Sequence, residues 1–209
     1  YALAISAGTS GGGVTPSGSH NHGTQASITA TPQTGYSFTG WSGEGIADVN
    51  ATTTTVDMTQ DRNVSASFSI NRYTLLASAG TGGSVTGAGI FDWNSSVPIT
   101  ATSSVGYQFT GWVGAGITDP SDANTTILVT QDRNASATFL INSYALSVSA
   151  DTAGGNVSAS GTYNYGTQAT ITATPQTGYS FTDWTLLEPA IPIGMDNYDR
   201  LLGDEVVHI

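Results

Sequence analysis

Cysteine is absent from this chain of 209 residues, and so is lysine; its four basic residues besides histidine are Arg62, Arg72, Arg133 and Arg200. Without cysteine there can be no disulfide, thiolate metal site or thiol nucleophile. Without lysine no Lys–Asn isopeptide cross-link can form, so rigidity has to come from packing and β-pairing. Charged residues make up only 9% of the chain, and the formal net charge is -11. Nucleic-acid binding needs clustered Lys and Arg to release counterions from phosphates, so that class of partner is excluded. An anionic membrane surface repels such a chain. No apolar run approaches the roughly 18–20 residues that span a bilayer. The sequence opens at Tyr1 with neither a Met nor a signal-like segment, and reads as a processed form or an excised piece.

What is present is β-chemistry. The hydrophobic fraction is 38%, enough for packed cores, and 26 glycines punctuate runs rich in Ser, Thr, Val, Ile and aromatics. Alternation of apolar and small polar residues, cut by Gly-rich turns, describes an all-β protein. The acidic balance favours solubility.

Internal repetition dominates the chain. The segment YALAISA at 1–7 returns as YTLLASA at 73–79 and YALSVSA at 144–150, at spacings of 72 and 71 residues. GYSFTGW at 35–41 returns as GYQFTGW at 106–112 and GYSFTDW at 178–184. Residues 24–41 and 167–184 differ only at Ser27/Thr170 and Gly40/Asp183. TQDRN occurs at 59–63 and 130–134. The expected organisation is repeat 1 at 1–72, repeat 2 at 73–143, an incomplete repeat 3 at 144–184 and a divergent tail at 185–209.

Within a unit the apolar period is two. Tyr1, Leu3, Ile5 and Ala7 share one face, as do Ala26, Ile28 and Ala30, and Val97, Ile99 and Ala101 in repeat 2. Val56 with Met58, and Val64 with Ala66, Phe68 and Ile70, continue the pattern. Tyr36 and Phe38 are in phase but Trp41 is not, which predicts a bulge or strand end between them. The TQDRN segment sits where a hairpin turn belongs. Five or six short strands per unit, forming a small β-sandwich or rolled sheet of about 72 residues, are expected. Such a unit is near the lower size limit for a self-sufficient core. Junctions at Asn71–Arg72 and Asn142–Ser143 leave almost no linker, which predicts a stiff tandem array.

These residues resemble the divergent internalin-B-type B-repeats of bacterial surface proteins. The resemblance is carried by the opening Tyr-x-Leu strand, the Gly-Gly turns at Gly12 and Gly82, the long motif from Ala30 to Trp41, and the closing Thr-x-Asp-x-x-Val/Ala-x-Ala-x-Phe strand. It implies small β-rich units, some described as β-grasp-like, in secreted or wall-associated proteins that serve as spacers or stalks and sometimes in adhesion. It implies no catalytic residues.

Repeat 3 departs from the pattern after Trp184. By analogy with repeat 1, two closing strands are missing, and their loss would leave exposed core and an open sheet edge. In the tail, Pro189 and Pro192 argue against a central strand. Asp196 could cap a short helix with Tyr198, Leu201 and Leu202 on one face, and Val206 to Ile209 could form an edge strand. Two readings stay open. Either the tail folds back on repeat 3 or is a terminus of a longer protein, or strand exchange through Leu186, Leu187, Ile191, Ile193, Tyr198, Leu201, Leu202, Val206, Val207 and Ile209 builds a head-to-tail fibre of identical chains.

Sites for chemistry are weak by comparison. His20 and His22 look like a metal pair, but the equivalent positions hold Phe91 and Trp93, and Tyr163 and Tyr165, so they are hairpin aromatic positions that happen to carry imidazoles. Glu44, Asp48, Asp57, Asp119 and Asp122 offer acidic loops to Ca²⁺, yet no Asp-x-Asp-x-Asp-Gly loop exists, so solvated loop charge is preferred and no cofactor is expected. Asp61–Arg62 and Asp132–Arg133 read as turn residues with local ion pairing. Trp93, Tyr163 and Tyr165 could stack on sugars, making a carbohydrate-binding module the rival to a structural role. The Asn-x-Ser/Thr sequons are what a chain rich in Ser and Thr contains by chance. No nucleophile–base constellation marks an enzyme. The sequence therefore points to an extracellular, surface-associated structural or adhesive repeat protein whose partners are its own copies or a cell-surface ligand.

Overall fold

The computed structural model describes residues 1–151 and 153–185. Two compact units are present: residues 1–143 together with Asn164–Gly166, and the remainder. Every regular element among the described residues is a β-strand.

Repeat 1 contains seven strands: β1 (Ala2–Ala7), β2 (Gly12–Val14), β3 (Gly18–Ser19), β4 (Thr24–Pro32), β5 (Tyr36–Ser42), β6 (Thr53–Met58) and β7 (Arg62–Ile70). They form two sheets, ordered β3-β1-β7-β5 and β2-β4-β6. Of the two expected forms, a sandwich is the one observed. Each odd-numbered strand lies in the first sheet and each even-numbered strand in the second. The chain therefore crosses between sheets at every connection, and no two consecutive strands pair.

That crossing pattern corrects one expectation. The segment at 59–63 is not a hairpin, because β6 pairs with β4 while β7 pairs with β1 and β5. It is an arch from one sheet to the other. His20–His22 likewise joins β3 in one sheet to β4 in the other. Asp61 and Arg62 do not pair locally: Asp61 Oδ1 accepts the Ala2 amide at 2.7 Å, tying the arch to the first strand. Arg62 reaches instead to Glu44 at 3.0 Å.

The core follows from the period of two. Inward residues of both sheets meet in one cluster: Leu3, Ala26, Ile28, Ala30, Trp41, Val56, Met58, Val64, Ala66 and Phe68. Ile28, Val56 and Met58 have no exposed surface, and burying side chains of that size contributes about 1.5–3 kcal/mol each. Tyr1 and Ala7, at the ends of the first strand, are exposed, and only Leu3 of that face is fully buried. The register between β5 and β7 slips between Phe38 and Gly40, the expected bulge, and it turns Trp41 into the core. Phe38 then meets Trp41 and Phe68 edge-on at centroid distances of 5.8 and 6.0 Å, the geometry favoured by ring quadrupoles.

Repeat 2 reproduces this plan with β8 (Arg72–Ala79), β9 (Gly83–Thr86), β10 (Gly89–Asp92), β11 (Ser95–Ser103), β12 (Tyr107–Val113), β13 (Asn124–Val129) and β14 (Arg133–Ile141), in sheets β10-β8-β14-β12 and β13-β11-β9. The bulge recurs between Phe109 and Gly111. First and last strands pair in parallel in both repeats, β1 with β7 and β8 with β14. Parallel neighbours start at the same end, so the chain enters a repeat at one end and leaves it at the other. Repeats can then follow one another end to end with no reversing linker.

Repeat 3 has four strands among the described residues: β15 (Ser143–Leu146), β16 (Gly155–Val157), β17 (Gly161–Asn164) and β18 (Ala173–Pro175). β15 pairs with β17 and β16 with β18, the places held by the first four strands of the other repeats. β7 and β14 are interior strands of their sheets, and no described strand fills that place here. Tyr179 and Phe181, the counterparts of Tyr36 and Phe38, are 60% and 43% exposed. The tail residues Leu186 to Ile209 named above lie outside the described residues.

Candidate functional surfaces

The most elaborate polar and aromatic construction in residues 1–143 lies where repeat 1 meets repeat 2. Asn71 donates its amide to the Gly35 carbonyl at 2.8 Å and accepts the Trp93 amide on its own carbonyl at 2.8 Å. Its side-chain oxygen accepts from Ser37 Oγ at 2.6 Å. Gly35 has a φ of 83°, a left-handed conformation in which a side chain is strained. The Trp93 indole lies so close over it that a Cβ on Gly35 would clash with the ring. Glycine is needed here twice, for the turn and for the approach.

The same joint is built again. Asn142 donates to the Gly106 carbonyl at 2.8 Å and accepts the Tyr165 amide at 2.7 Å. Gly106 has a φ of 82°, and the Tyr165 ring occupies the space a Cβ would take. Trp93 and Tyr165, singled out as sugar-stacking candidates, are thus half-buried with one side against backbone. Tyr163 is also half-buried and packs over Gly161. Sequence reasoning did not foresee the joint, although its signal was legible: a Gly-Tyr turn and an aromatic after Asp/Asn, recurring at matched positions.

The three segments of this architecture match one family model, the divergent InlB B-repeat domain, at residues 1–72, 73–143 and 144–191. The chain belongs to the divergent InlB B-repeat family. Its repeats are bacterial, and the family is associated with surface proteins. Neither a curated protein nor a solved structure matches the chain.

The acidic loops of these B-repeats use their carboxylates on the backbone. Asp48 Oδ1 accepts the Asn50 amide at 2.9 Å, and Asp122 Oδ1 accepts the Asn124 amide at 2.9 Å. Asp119 accepts both the Ser121 hydroxyl at 2.6 Å and the Ser121 amide at 2.9 Å. Those bonds, the hydroxyl first, hold its carboxyl below the ordinary value. Asp57 accepts from Gln25 at 3.1 Å. Among the described residues no three His, Asp or Glu side chains come together as a metal cage. His22 instead lies tilted against Tyr1, with ring centroids 5.5 Å apart.

The two TQDRN arginines differ in their partners. Arg62 meets Glu44, and its Nε donates to the Asp57 carbonyl at 3.3 Å. In the second B-repeat Ala115 stands where Glu44 stands in the first, and the buried Nε of Arg133 has no hydrogen-bond partner. In the third, a cleft of about 370 Å³ is lined by Val157, Ala173, Tyr179, Phe181 and Trp184 among others. Val157 and Ala173 are the counterparts of Val14 and Ala30, and Tyr179, Phe181 and Trp184 those of the β5 residues Tyr36, Phe38 and Trp41.

Proposed function

We propose that this B-repeat chain is an extracellular structural protein of a bacterial surface, serving as a stalk or spacer and as a subunit of larger surface fibres. The reading is carried by the Asn71 joint, in which two repeats share backbone hydrogen bonds and an aromatic–glycine lock without a flexible linker. A joint made twice in one chain stiffens a tandem array, and the parallel pairing of first and last strands lets each unit extend the one before it. The described polar side chains are spent on loops and arches, and no residue is assigned a catalytic role. Adhesion would act through a cell-surface ligand presented to the array or by it.

Small-angle scattering of the full chain tests this reading. An extended, stiff profile is expected, and the double variant Gly35→Val, Gly106→Val should convert it to that of a flexible chain. A compact profile for the natural sequence would overturn the proposal. Glycan-array binding that disappears on Trp93→Ala would replace it with a carbohydrate-binding role.

A further inference from the structure

Repeats 1 and 2 share one frame but differ on one outer face. Strand alternation sends Leu75, Phe91, Trp112 and Phe139 toward the core of repeat 2. Their sequence neighbours Leu76, Ile90, Val113 and Leu140 therefore face outward from the sheet β10-β8-β14-β12. These four are 59%, 57%, 64% and 54% exposed. Repeat 1 builds the same sheet with Ala4, Ser19, Ser42 and Ser69 at the matching positions, and repeat 3 carries Ser147, Thr162 and Thr185 at the first three. Scattered exposed apolar residues need no explanation. Here the small side chains of repeat 1 show that the fold does not require large ones on this face.

The register spreads these side chains over all four strands. Ile90 lies opposite Thr74, two residues before Leu76 on the same face, and Leu76 lies opposite Asn134. Val113 lies opposite Ser136, and Leu140 opposite Gln108 toward the other end of β14. Short uncharged residues, Ser78, Ser136 and Thr138, stand between them. The charged residues that face outward on these strands are Arg72 and Asp92, and they pair with each other at 3.2 Å. In a chain of net charge -11, which repels its own copies elsewhere, this sheet face offers a copy no uncompensated charge.

We infer that the outer face of the β10-β8-β14-β12 sheet is a docking surface for the same face of a second copy of this chain. Two such sheets stack face to face about a two-fold axis, so each copy covers the other's apolar residues in one closed contact. The neutrality of the face and its match to itself select the occupant: a basic partner is drawn to the acidic surface elsewhere, and an acidic one gains nothing here. The size fits a weak pair. β14 has 9 residues, so the face measures about 30 by 19 Å, and two copies bury on the order of 1,000 Å² in total. That is the lower end of specific interfaces, and the dimer should form and dissociate with concentration. The contact joins two chains side by side, whereas the stalk reading concerns stiffness within one, so either can fail alone.

Sedimentation velocity of the full chain over a concentration series tests it. The natural chain should pass from monomer to dimer and go no further. The variant Leu76→Ala, Ile90→Ser, Val113→Ser, Leu140→Ser takes the residues that repeat 1 carries, and should weaken the dimer by about 100-fold or more. The control Val105→Thr, Leu128→Asp removes two exposed apolar residues of repeat 2 that lie in a turn and in the other sheet, and should leave the dimer unchanged. Circular dichroism matching the natural chain establishes that each variant folds. Should the fourfold variant fail that check, Leu76→Ala with Ile90→Ser is read in its place, with a weakening of about ten-fold expected. A natural chain that stays monomeric up to about 1 mM would overturn the inference, whether the face is bare or covered by another segment of its own chain. A dimer that survives the face variants, or is lost equally in the control, would overturn it too. Stiff monomers in scattering would then leave the stalk reading standing, and flexible dimers would leave this contact without the stalk.

Discussion

Trp93 donates its backbone amide to the carbonyl of Asn71 at 2.8 Å, so the last residue of one repeat's exit segment is a hydrogen-bonded neighbour of the next repeat's arch. The bond places the indole over Gly35 and makes Asn71 part of two units at once. Amides at such a position exchange only when the joint opens. Gly35→Ala puts a methyl where the ring lies, and hydrogen exchange at the Asn71 and Trp93 amides should then accelerate at least ten-fold. Exchange in the cores, at Ile28 and Ile99, should change far less. Equal acceleration everywhere would mean that the joint and the cores open together.

Thr54 is only 8% exposed, and its hydroxyl accepts the Asp48 amide at 3.0 Å. Thr125 repeats the arrangement with Asp119 at 3.1 Å. The hydroxyl closes the loop between β5 and β6 over the edge of Trp41, whose Nε1 donates to the Ala51 carbonyl at 3.0 Å. Thr54→Val keeps the shape but leaves that amide without its acceptor. A loss of about 1–2 kcal/mol in chemical denaturation is expected.

Asp119 has its carboxyl lowered from 3.8, chiefly by the Ser121 hydroxyl and then by the Ser121 amide. A carboxyl lowered in the folded state adds stability above its unfolded value, and that contribution is lost as pH falls through the folded one. Ser121→Ala removes the larger cause. A carbon-13 titration of the Asp119 carboxyl should move up toward 3.8 in the variant, and the loop should lose less stability on acidification. An unmoved midpoint would show that the hydroxyl bond does not form in solution.

Arg133 has a buried Nε without a hydrogen-bond partner, and Ala115 is exposed at the position of Glu44. Ala115→Glu should recreate the Arg62–Glu44 pair of the first repeat. Because Glu44 is 82% exposed, the gain should stay below about 1 kcal/mol and shrink with added salt. A denaturation series at low and high ionic strength checks both size and sign.

Much of the core was legible in the residues. Alternation at Ala26, Ile28 and Ala30, or at Val64, Ala66 and Phe68, states which side chains face inward, because successive residues of a strand point to opposite faces. The phase break before Trp41 announced the bulge at Gly40. The joint is different: alignment relates Trp93 and Tyr165 to each other and to His22, whereas the glycines they cover belong to the preceding repeat. Those partners lie 58 and 59 residues away in sequence, and no local pattern links them.

By itself the sequence determined where the three repeats start, at 1, 73 and 144, the inward faces and the bulge, all of which are local or follow from self-similarity. Only the tertiary structure decided which strands are neighbours. Period two assigns a residue to a face but not a strand to a sheet, and a short Gly- or Asn-rich turn serves an arch as well as a hairpin. Pairing β1 in parallel with β7, which puts chain entry and exit at opposite ends of one sandwich, is a contact across some sixty residues. Its stability comes from the completed two-sheet core and not from any segment within it.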